Sequence, residues 1–203
     1  MSSNRSAKAF ATAAALNDNP DNKRIEQLMA TLSSPRDEAR SAAAQELANL
    51  ARMSPERRER VIKALLDDVE KRGTLDGRHG VLGSEYPYWI SVTNLLAELR
   101  ATEAIDVLIK CIHCGNGYSG SLGHQPAFDA LVKLGTSAVP KLSAALLSEP
   151  NDYARGQIAL CLGTIGDEQA ERSLREALRQ ETNKDVTEYI KAGIRTIDSR
   201  KNP

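Results

Sequence analysis

A short segment recurs along this 203-residue chain, and the recurrence limits the folds that the chain can adopt. In each copy a helical pattern ends on leucine or isoleucine, a tight turn follows, and a second helical pattern opens near an alanine. The copies that align are residues 96–108, 131–142 and 162–174. Each such unit has an apolar face that only its neighbours can cover, so the units stack. The recurrence therefore predicts a helical solenoid.

Apolar residues recur three and four positions apart from Lys23 onward, in runs separated by glycine, proline, serine or aspartate. This spacing places apolar side chains on one face of a helix, and no stretch alternates as a strand does. Oxygens of Ser34, Ser54 and Asn151 precede three of the runs, where the first N–H groups of a helix need acceptors. The predicted helices are 24–33, 36–52, 55–72, 87–100, 102–113, 125–134, 137–148, 152–165, 168–180 and 184–198.

Two helices far apart in the sequence carry the same stripe, an arginine followed by three apolar residues at identical spacing. The stripe consists of Arg40, Ala43, Leu47 and Leu50 in one helix and of Arg155, Ile158, Leu162 and Ile165 in the other. Together with Ala-Val-Pro-Lys-Leu at 138–142 and Leu-Gly-Thr-Ile-Gly-Asp at 162–167, these residues resemble HEAT repeats. They resemble specifically the short form of the repeat found in the phycobilisome-lyase family.

The resemblance covers residues 24–198 and is strongest over 125–180. It implies an all-α fold, an α-α superhelix of the HEAT or armadillo-like kind with about five antiparallel helical pairs. The second helices of the pairs would line a concave surface that binds partners. We expect this solenoid to span 23–200 and the polar, alanine-rich residues 1–22 to form a flexible tail.

The charge balance argues against several classes of partner. Lysine plus arginine equals aspartate plus glutamate at 27 each, so no net field attracts nucleic acid or anionic lipid. The apolar run at 9–16 is too weak for a signal peptide, and no run approaches the roughly 20 apolar residues of a membrane span. Three cysteines without framework spacing fit a reducing compartment. We therefore expect a cytoplasmic protein without a cofactor, a nucleic-acid partner or a membrane partner.

Two linkers, 73–87 and 114–124, are longer than the connections usual between packed helices. Both join the first helix of a pair to its second in adjacent pairs, so we expect them to emerge at one edge of the solenoid. Trp89 and His124 stand where the outer repeats have Arg40 and Arg155. The alternative is that both linkers are tolerated surface insertions. The predicted binding residues at this loop edge are Arg78, His79, Tyr86, Trp89, Tyr118 and His124.

Three chemical motifs near these linkers have simpler interpretations. Residues 115–120 match G-x-G-x-x-G, but that fingerprint requires a preceding strand, so a turn is expected instead. Cys111, His113, Cys114 and His124 could offer zinc ligands, although a buried cysteine and surface histidines fit the pattern as well. No acid is placed to orient a histidine beside Ser119, so no catalytic residue and no metal ligand is assigned.

The concave surface predicted from the repeat register is polar but not cationic. Its rows are Gln45, Asn94, Asp129, Leu160 and Ala192, and then Asn49, Glu98, Lys133, Thr164 and Thr196. We therefore predict a protein-protein interaction scaffold or adaptor, a binding protein rather than an enzyme. The alternative from the family resemblance is a lyase-like or chromophore-handling protein with its seat at Cys114 and His124 in the same edge.

Overall fold

The structure is a computed structural model that describes residues 19–72, 85–114 and 125–201. All regular elements in these ranges are helical, and none is a strand, which confirms the predicted all-α fold. The helices are α1 (Pro20–Leu32), α2 (Asp37–Arg52), α3 (Pro55–Arg72), α4 (Tyr86–Glu98), α5 (Ile105–Lys110), α6 (Pro126–Leu134), α7 (Val139–Ser148), α8 (Asp152–Ile165), α9 (Glu168–Gln180) and α10 (Lys184–Lys201). Short 3-10 turns at Thr102–Ala104 and Gly135–Ala138 precede α5 and α7.

Each predicted helix is present, with differences at the ends. The first helix begins at Pro20 rather than at residue 24, because the Asn19 side chain accepts a hydrogen bond from the backbone N–H of Asp21 at 2.9 Å. The last three residues of the predicted tail are therefore helical. The predicted helix 102–113 is shorter, since α5 ends at Lys110 and a turn follows. Residues 1–18 and most of both long linkers lie outside the described residues.

The chain divides into two compact units, Met1–Lys71 and Arg72–Pro203. In the first unit α1 packs against α2 around buried leucines such as Leu28, Leu32 and Leu47. Asp21 at the start of α1 accepts from Arg57 of α3 at 2.7 Å, which joins the first and third helices of this unit. The predicted single array over 23–200 stays a prediction.

In the second unit the helices form two layers. The even layer consists of α4, α6, α8 and α10, each in contact with the next, and the odd layer consists of α5, α7 and α9. Each helix of the odd layer packs against the following helix of the even layer. Hydrogen bonds join the starts of α8 and α10 through Asp152 and Asn183, and their ends through Arg200 and the carbonyl of Thr164. Equivalent ends of these two helices therefore lie together.

Glycine determines how closely α8 and α10 approach. A Cβ atom on Gly193 would lie 2.7 Å from the carbonyl oxygen of Ala159, and one on Gly163 would overlap the backbone of Gly193. Only hydrogen atoms fit between the two backbones at these points. The contact between α8 and α10 is consequently a backbone-to-backbone contact, which positions the side chains on either side of it.

One stretch, Pro126–Ser148, reaches the length and mean hydropathy of a candidate membrane span. The structure divides it into α6 and α7, because a 3-10 turn begins at Gly135, whose φ of 65° lies in the region that favours glycine. The two helices have 9 and 10 residues, and each contributes buried side chains to the core. Neither helix has the roughly 20 residues that a membrane-spanning helix needs.

Candidate functional site

Two of the six predicted binding residues lie in the described part of the chain, Tyr86 and Trp89. Tyr86 is half-buried at the start of α4; burial and, secondly, the negative charge of Asp129 raise the pKa of its hydroxyl. Trp89 is only 1% exposed and is a core residue. The expectation that Trp89 contributes to a surface patch is therefore wrong. Arg78, His79, Tyr118 and His124 lie outside the described residues.

Trp89 is buried because its repeat position faces inward. Arg40, at the equivalent position of α2, is also buried, and the Arg155 side chain of α8 is mostly covered. These positions correspond in the repeats, and a side chain at this position packs between helices rather than on the surface where a partner protein could bind. The indole N–H of Trp89 has no hydrogen-bond partner within the described residues. The aromatic ring thus fills space where an arginine makes polar contacts in the outer repeats.

The ends of the first long linker are tied together. Arg72, the last residue of α3, forms an ion pair with Glu85 at 2.7 Å, and its guanidinium lies 3.8 Å above the ring centroid of Tyr88. Tyr88 in turn meets Trp89 edge to face, with ring centroids 6.5 Å apart. This cluster holds the start of α4 firmly in the second unit.

A pocket that the sequence analysis missed opens at the starts of α8 and α10. It encloses about 550 Å³. Tyr153 is 46% exposed there, one of the most exposed large apolar side chains in the described residues. We call this site the tyrosine pocket; its lining residues are Asp152, Tyr153, Asn183, Asp185, Glu188, Tyr189 and Ala192.

The walls of the tyrosine pocket are positioned by hydrogen bonds at the helix starts. Asn151 accepts from the backbone N–H of Ala154 at 2.9 Å and caps α8. Asn183 caps α10 through its side-chain oxygen, and its amide nitrogen donates to Asp152 at 2.6 Å. One asparagine therefore both starts α10 and connects it to α8.

Both tyrosines are held in place by neighbouring residues. Gln125, which immediately precedes α6, donates to the Tyr153 hydroxyl at 2.6 Å. The Tyr189 ring lies against Gly156 of α8, where a Cβ atom would be 2.5 Å from the ring carbon Cδ2. A glycine within a helical pattern is a signal of close approach, and Gly156 could have indicated this contact from the sequence.

The three carboxylates of the tyrosine pocket differ in their partners. Asp152 forms an ion pair with Arg155 at 2.5 Å, and Glu188 forms one with Lys191 at 2.8 Å. The carboxylate of Asp185 has no ion pair or hydrogen bond within the described residues. The pocket thus combines two aromatic side chains with one uncompensated negative charge. A lysine or arginine side chain fits that combination, through a cation–π contact and an ion pair.

A second groove lies in the odd layer, between α7 and α9, and encloses about 600 Å³. Its floor includes Leu147, which is 56% exposed, and its wall carries Arg172, Arg175 and Arg179. Each arginine has a carboxylate partner on its own helix: Glu168, Glu171 and Glu176, respectively. Such pairs are typical of a solvated helix face. The basic charge of this groove is therefore already compensated.

The residues of the predicted polar rows differ in exposure within the second unit. Asn94 and Lys133 are exposed, and the Lys133 ammonium donates to the Asn94 side chain at 3.1 Å, joining neighbouring helices. Leu160, Thr164 and Ala192 are half-buried. We call the surface formed by these exposed sides of α4, α6, α8 and α10 the even face. Ala192 of α10 also lines the tyrosine pocket, so the even face and the pocket are adjacent.

The predicted metal ligands and the predicted chromophore seat lie only partly in the described residues. No group of three or more histidine, cysteine, aspartate or glutamate side chains is placed to hold a metal ion in ranges 19–72, 85–114 and 125–201. Cys114, one half of the predicted chromophore seat, is 4% exposed. His124, the other half, lies outside the described residues.

Comparison with known proteins agrees with the architecture. Residues 154–180 match the family model of the PBS lyase HEAT-like repeat. This segment covers most of α8 and all of α9, including Arg155 and the Gly166–Asp167 turn. No curated protein matches the chain. The chain therefore has an all-α helical repeat fold, and residues 154–180 of it form a HEAT-like repeat.

Proposed function

We propose that this protein is an interaction module that holds a basic segment of a partner protein on the even face. A helical repeat leaves one side of each pair exposed, and stacking joins these sides into an extended surface. In the second unit that surface is polar, with Asn94, Glu98 and Lys133 exposed. Such a face supports a protein partner, since interfaces combine polar side chains with a few aromatic anchors.

The observation that carries the proposal is the tyrosine pocket. Tyr153 and Tyr189 provide flat aromatic surfaces, and Asp185 provides a negative charge without a partner in the described residues. A cationic side chain would satisfy all three at once, whereas an anionic ligand would meet Asp152, Asp185 and Glu188. The pocket therefore favours a lysine- or arginine-containing peptide over nucleic acid or a phosphate-bearing ligand.

The loop-edge residues remain part of the proposal. Gln125 follows the second long linker directly and hydrogen-bonds Tyr153 of the tyrosine pocket. We infer that Arg78, His79, Tyr118 and His124, with Tyr86 at the start of α4, extend the contact surface from this edge. Trp89 is excluded because it is buried. Three cysteines without a disulfide support a cytoplasmic location for the complex.

The test compares two pockets of one molecule. A partner is captured from the cells that make the protein, and cross-linking with mass spectrometry identifies the peptide bound. That peptide is then synthesised and its affinity measured by fluorescence anisotropy. We expect its lysine or arginine to be required, and Tyr153→Ala and Asp185→Asn each to weaken binding about tenfold, equivalent to about 1.4 kcal/mol.

Matched controls lie in the odd layer. Leu147→Ala removes a comparably exposed apolar side chain, and Glu168→Gln removes a first-turn carboxylate from α9. Both should change the affinity less than about twofold, an effect below about 0.4 kcal/mol. Loss of binding in Leu147→Ala with retention in Tyr153→Ala would move the site to the α7–α9 groove. A partner peptide without a basic residue would refute the proposed chemistry.

A further inference from the structure

The turn that ends α5 brings two cysteines together. Cys111 and Cys114 are separated by two residues, and the backbone N–H of Cys114 donates to the carbonyl oxygen of Cys111 at 2.9 Å. A turn of this kind keeps its first and fourth Cα atoms within about 7 Å, a range that overlaps the span of a disulfide. Both side chains are thiols and both are buried, at 1% and 4% exposure. The two thiols also share a hydrogen bond.

The two thiols are not equivalent. The hydrogen bond with Cys114, then burial, and then the negative charge of Cys114 hold the pKa of the Cys111 thiol far above its ordinary value. Cys111 therefore holds its proton strongly. The sulfur of Cys114 lies 4.0 Å from Nε2 of His113, which can interact with it. This arrangement makes Cys114 the attacking thiolate and Cys111 the second thiol.

We propose that Cys111 and Cys114 form a dithiol site that reacts with low-molecular-weight disulfides, such as oxidised glutathione, and closes to an intramolecular disulfide. The Cys114 thiolate attacks one sulfur of glutathione disulfide, whose S–S bond breaks and releases one glutathione thiolate. The Cys111 thiol then loses its proton and attacks the sulfur of Cys114, which releases the second glutathione. Two protein thiols are oxidised, one glutathione disulfide is reduced, and the two protein protons end on the two glutathione thiols.

Cys161 provides an internal control. It is as deeply buried as the pair, at 0% exposure, and burial raises the pKa of its thiol. It lies within α8, and no other cysteine is adjacent to it in the sequence. If burial alone governed reactivity, all three thiols would behave alike. If the turn governs it, Cys111 and Cys114 react together and Cys161 does not.

The experiment uses the full-length reduced protein with oxidised glutathione. After acid quenching, the protein is alkylated under denaturing conditions, and its intact mass and peptide map are measured. We expect loss of two hydrogen atoms, a link between Cys111 and Cys114, and alkylation of Cys161 alone. The rate should rise tenfold or more from pH 7 to pH 9, because the attacking species is a thiolate and its fraction increases as the pH passes the ordinary thiol pKa of about 8.5.

Variants separate the two roles. Cys111→Ser should stop at one glutathione on Cys114, Cys114→Ser should leave Cys111 unmodified, and Cys161→Ser should react as the natural chain does. A natural chain that stays fully reduced, or in which Cys161 is modified as fast as the pair, overturns the proposal without reference to any variant. Absence of an adduct in a helical Cys111→Ser variant would overturn the assignment of Cys114.

Discussion

Arg40 and Arg155 occupy the same position of two repeats, one in each unit, and they make partly different contacts. Each guanidinium donates to the carbonyl oxygen six residues before it and to the aspartate three residues before it. Arg155 also donates from Nε to Glu181 at 3.0 Å, beyond the end of α9. The Nε of Arg40 is buried and has no hydrogen-bond partner within the described residues. Among the described residues, Arg40 thus contacts only its own helix and the turn before it, whereas Arg155 also contacts the turn that follows α9.

The difference shows that the contacts made at a repeat position depend on the helix that follows it along the chain. The local contacts of both arginines follow from spacing alone, since the sixth and third preceding residues are always within reach. The contact with Glu181 requires the end of α9 to lie beside the start of α8. Glu181 also accepts from the backbone N–H groups of Thr182 and Asn183, which order the turn before α10. The arginine in the second unit therefore supports the same turn that holds the tyrosine pocket.

The largest expected effect tests whether the two units are separate. Leu47 and Leu131 occupy the same stripe position and are fully buried in the first and second unit, respectively. Leu47→Asp and Leu131→Asp each bury an uncompensated charge, at a cost of more than about 4 kcal/mol. Hydrogen exchange read by mass spectrometry should show each change unfolding its own unit. Equal loss of protection in both units would mean that they unfold as one.

A smaller loss of stability is expected when the contact between α8 and α10 is disturbed. Gly163 corresponds to Ala48 in the repeat register, and only Gly163 faces another backbone at overlap distance. Gly163→Ala should destabilise the second unit by about 1–3 kcal/mol, because α8 and α10 must separate. The control Ala48→Gly should cost about 1 kcal/mol from helix propensity. Urea denaturation measures both; a stabilising Gly163→Ala would contradict the close approach.

Replacing Arg155 and replacing Arg40 should lower the free energy of unfolding by amounts that differ less. Arg155→Met removes the contacts with Glu149, Asp152 and Glu181 and leaves Glu181 without its cation, so we expect a loss of about 2 kcal/mol. Arg40→Met removes only the local contacts and relieves an unmatched Nε, so about 1 kcal/mol is expected. Urea midpoints give both values, with the exposed Arg172→Met as a control near zero. Equal losses would show that the Glu181 contact contributes nothing.

The loss of stability at low pH should depend on the contact between Arg155 and Glu181. Burial is the largest influence on the pKa of Glu181 and raises it, but hydrogen bonds from the Asn183 backbone and from Arg155 outweigh burial and lower the pKa overall. A lowered folded pKa contributes stability above the unfolded value of about 4.3, and that stability disappears as the pH falls through the folded pKa. Glu181→Gln should therefore reduce the difference in urea midpoint between pH 6 and pH 3. An unchanged difference would remove Glu181 from the acid response.

The helices were predictable because their signals are local. Apolar spacing and capping residues such as Asn151 predicted α8 to the residue, and the Gly166–Asp167 turn predicted the start of α9. The stripe that contains Arg40 and Arg155 correctly identified equivalent positions. The direction of those positions was misjudged, since an alignment shows which residues correspond but not whether they face a helix or solvent. Trp89 was therefore placed on the surface although it lies in the core.

The sequence by itself determined the all-α repeat and some helix boundaries, such as both ends of α8 and α9, because short-range spacing and capping control these features. Only the tertiary structure decided that Tyr153 and Tyr189 face one pocket, that Gly156 makes room for one of them, and that Asp185 has no cationic partner among the described residues. The two tyrosines belong to different helices, and their distance depends on how closely α8 and α10 approach. That approach results from backbone contact at Gly163 and Gly193, which periodicity does not encode.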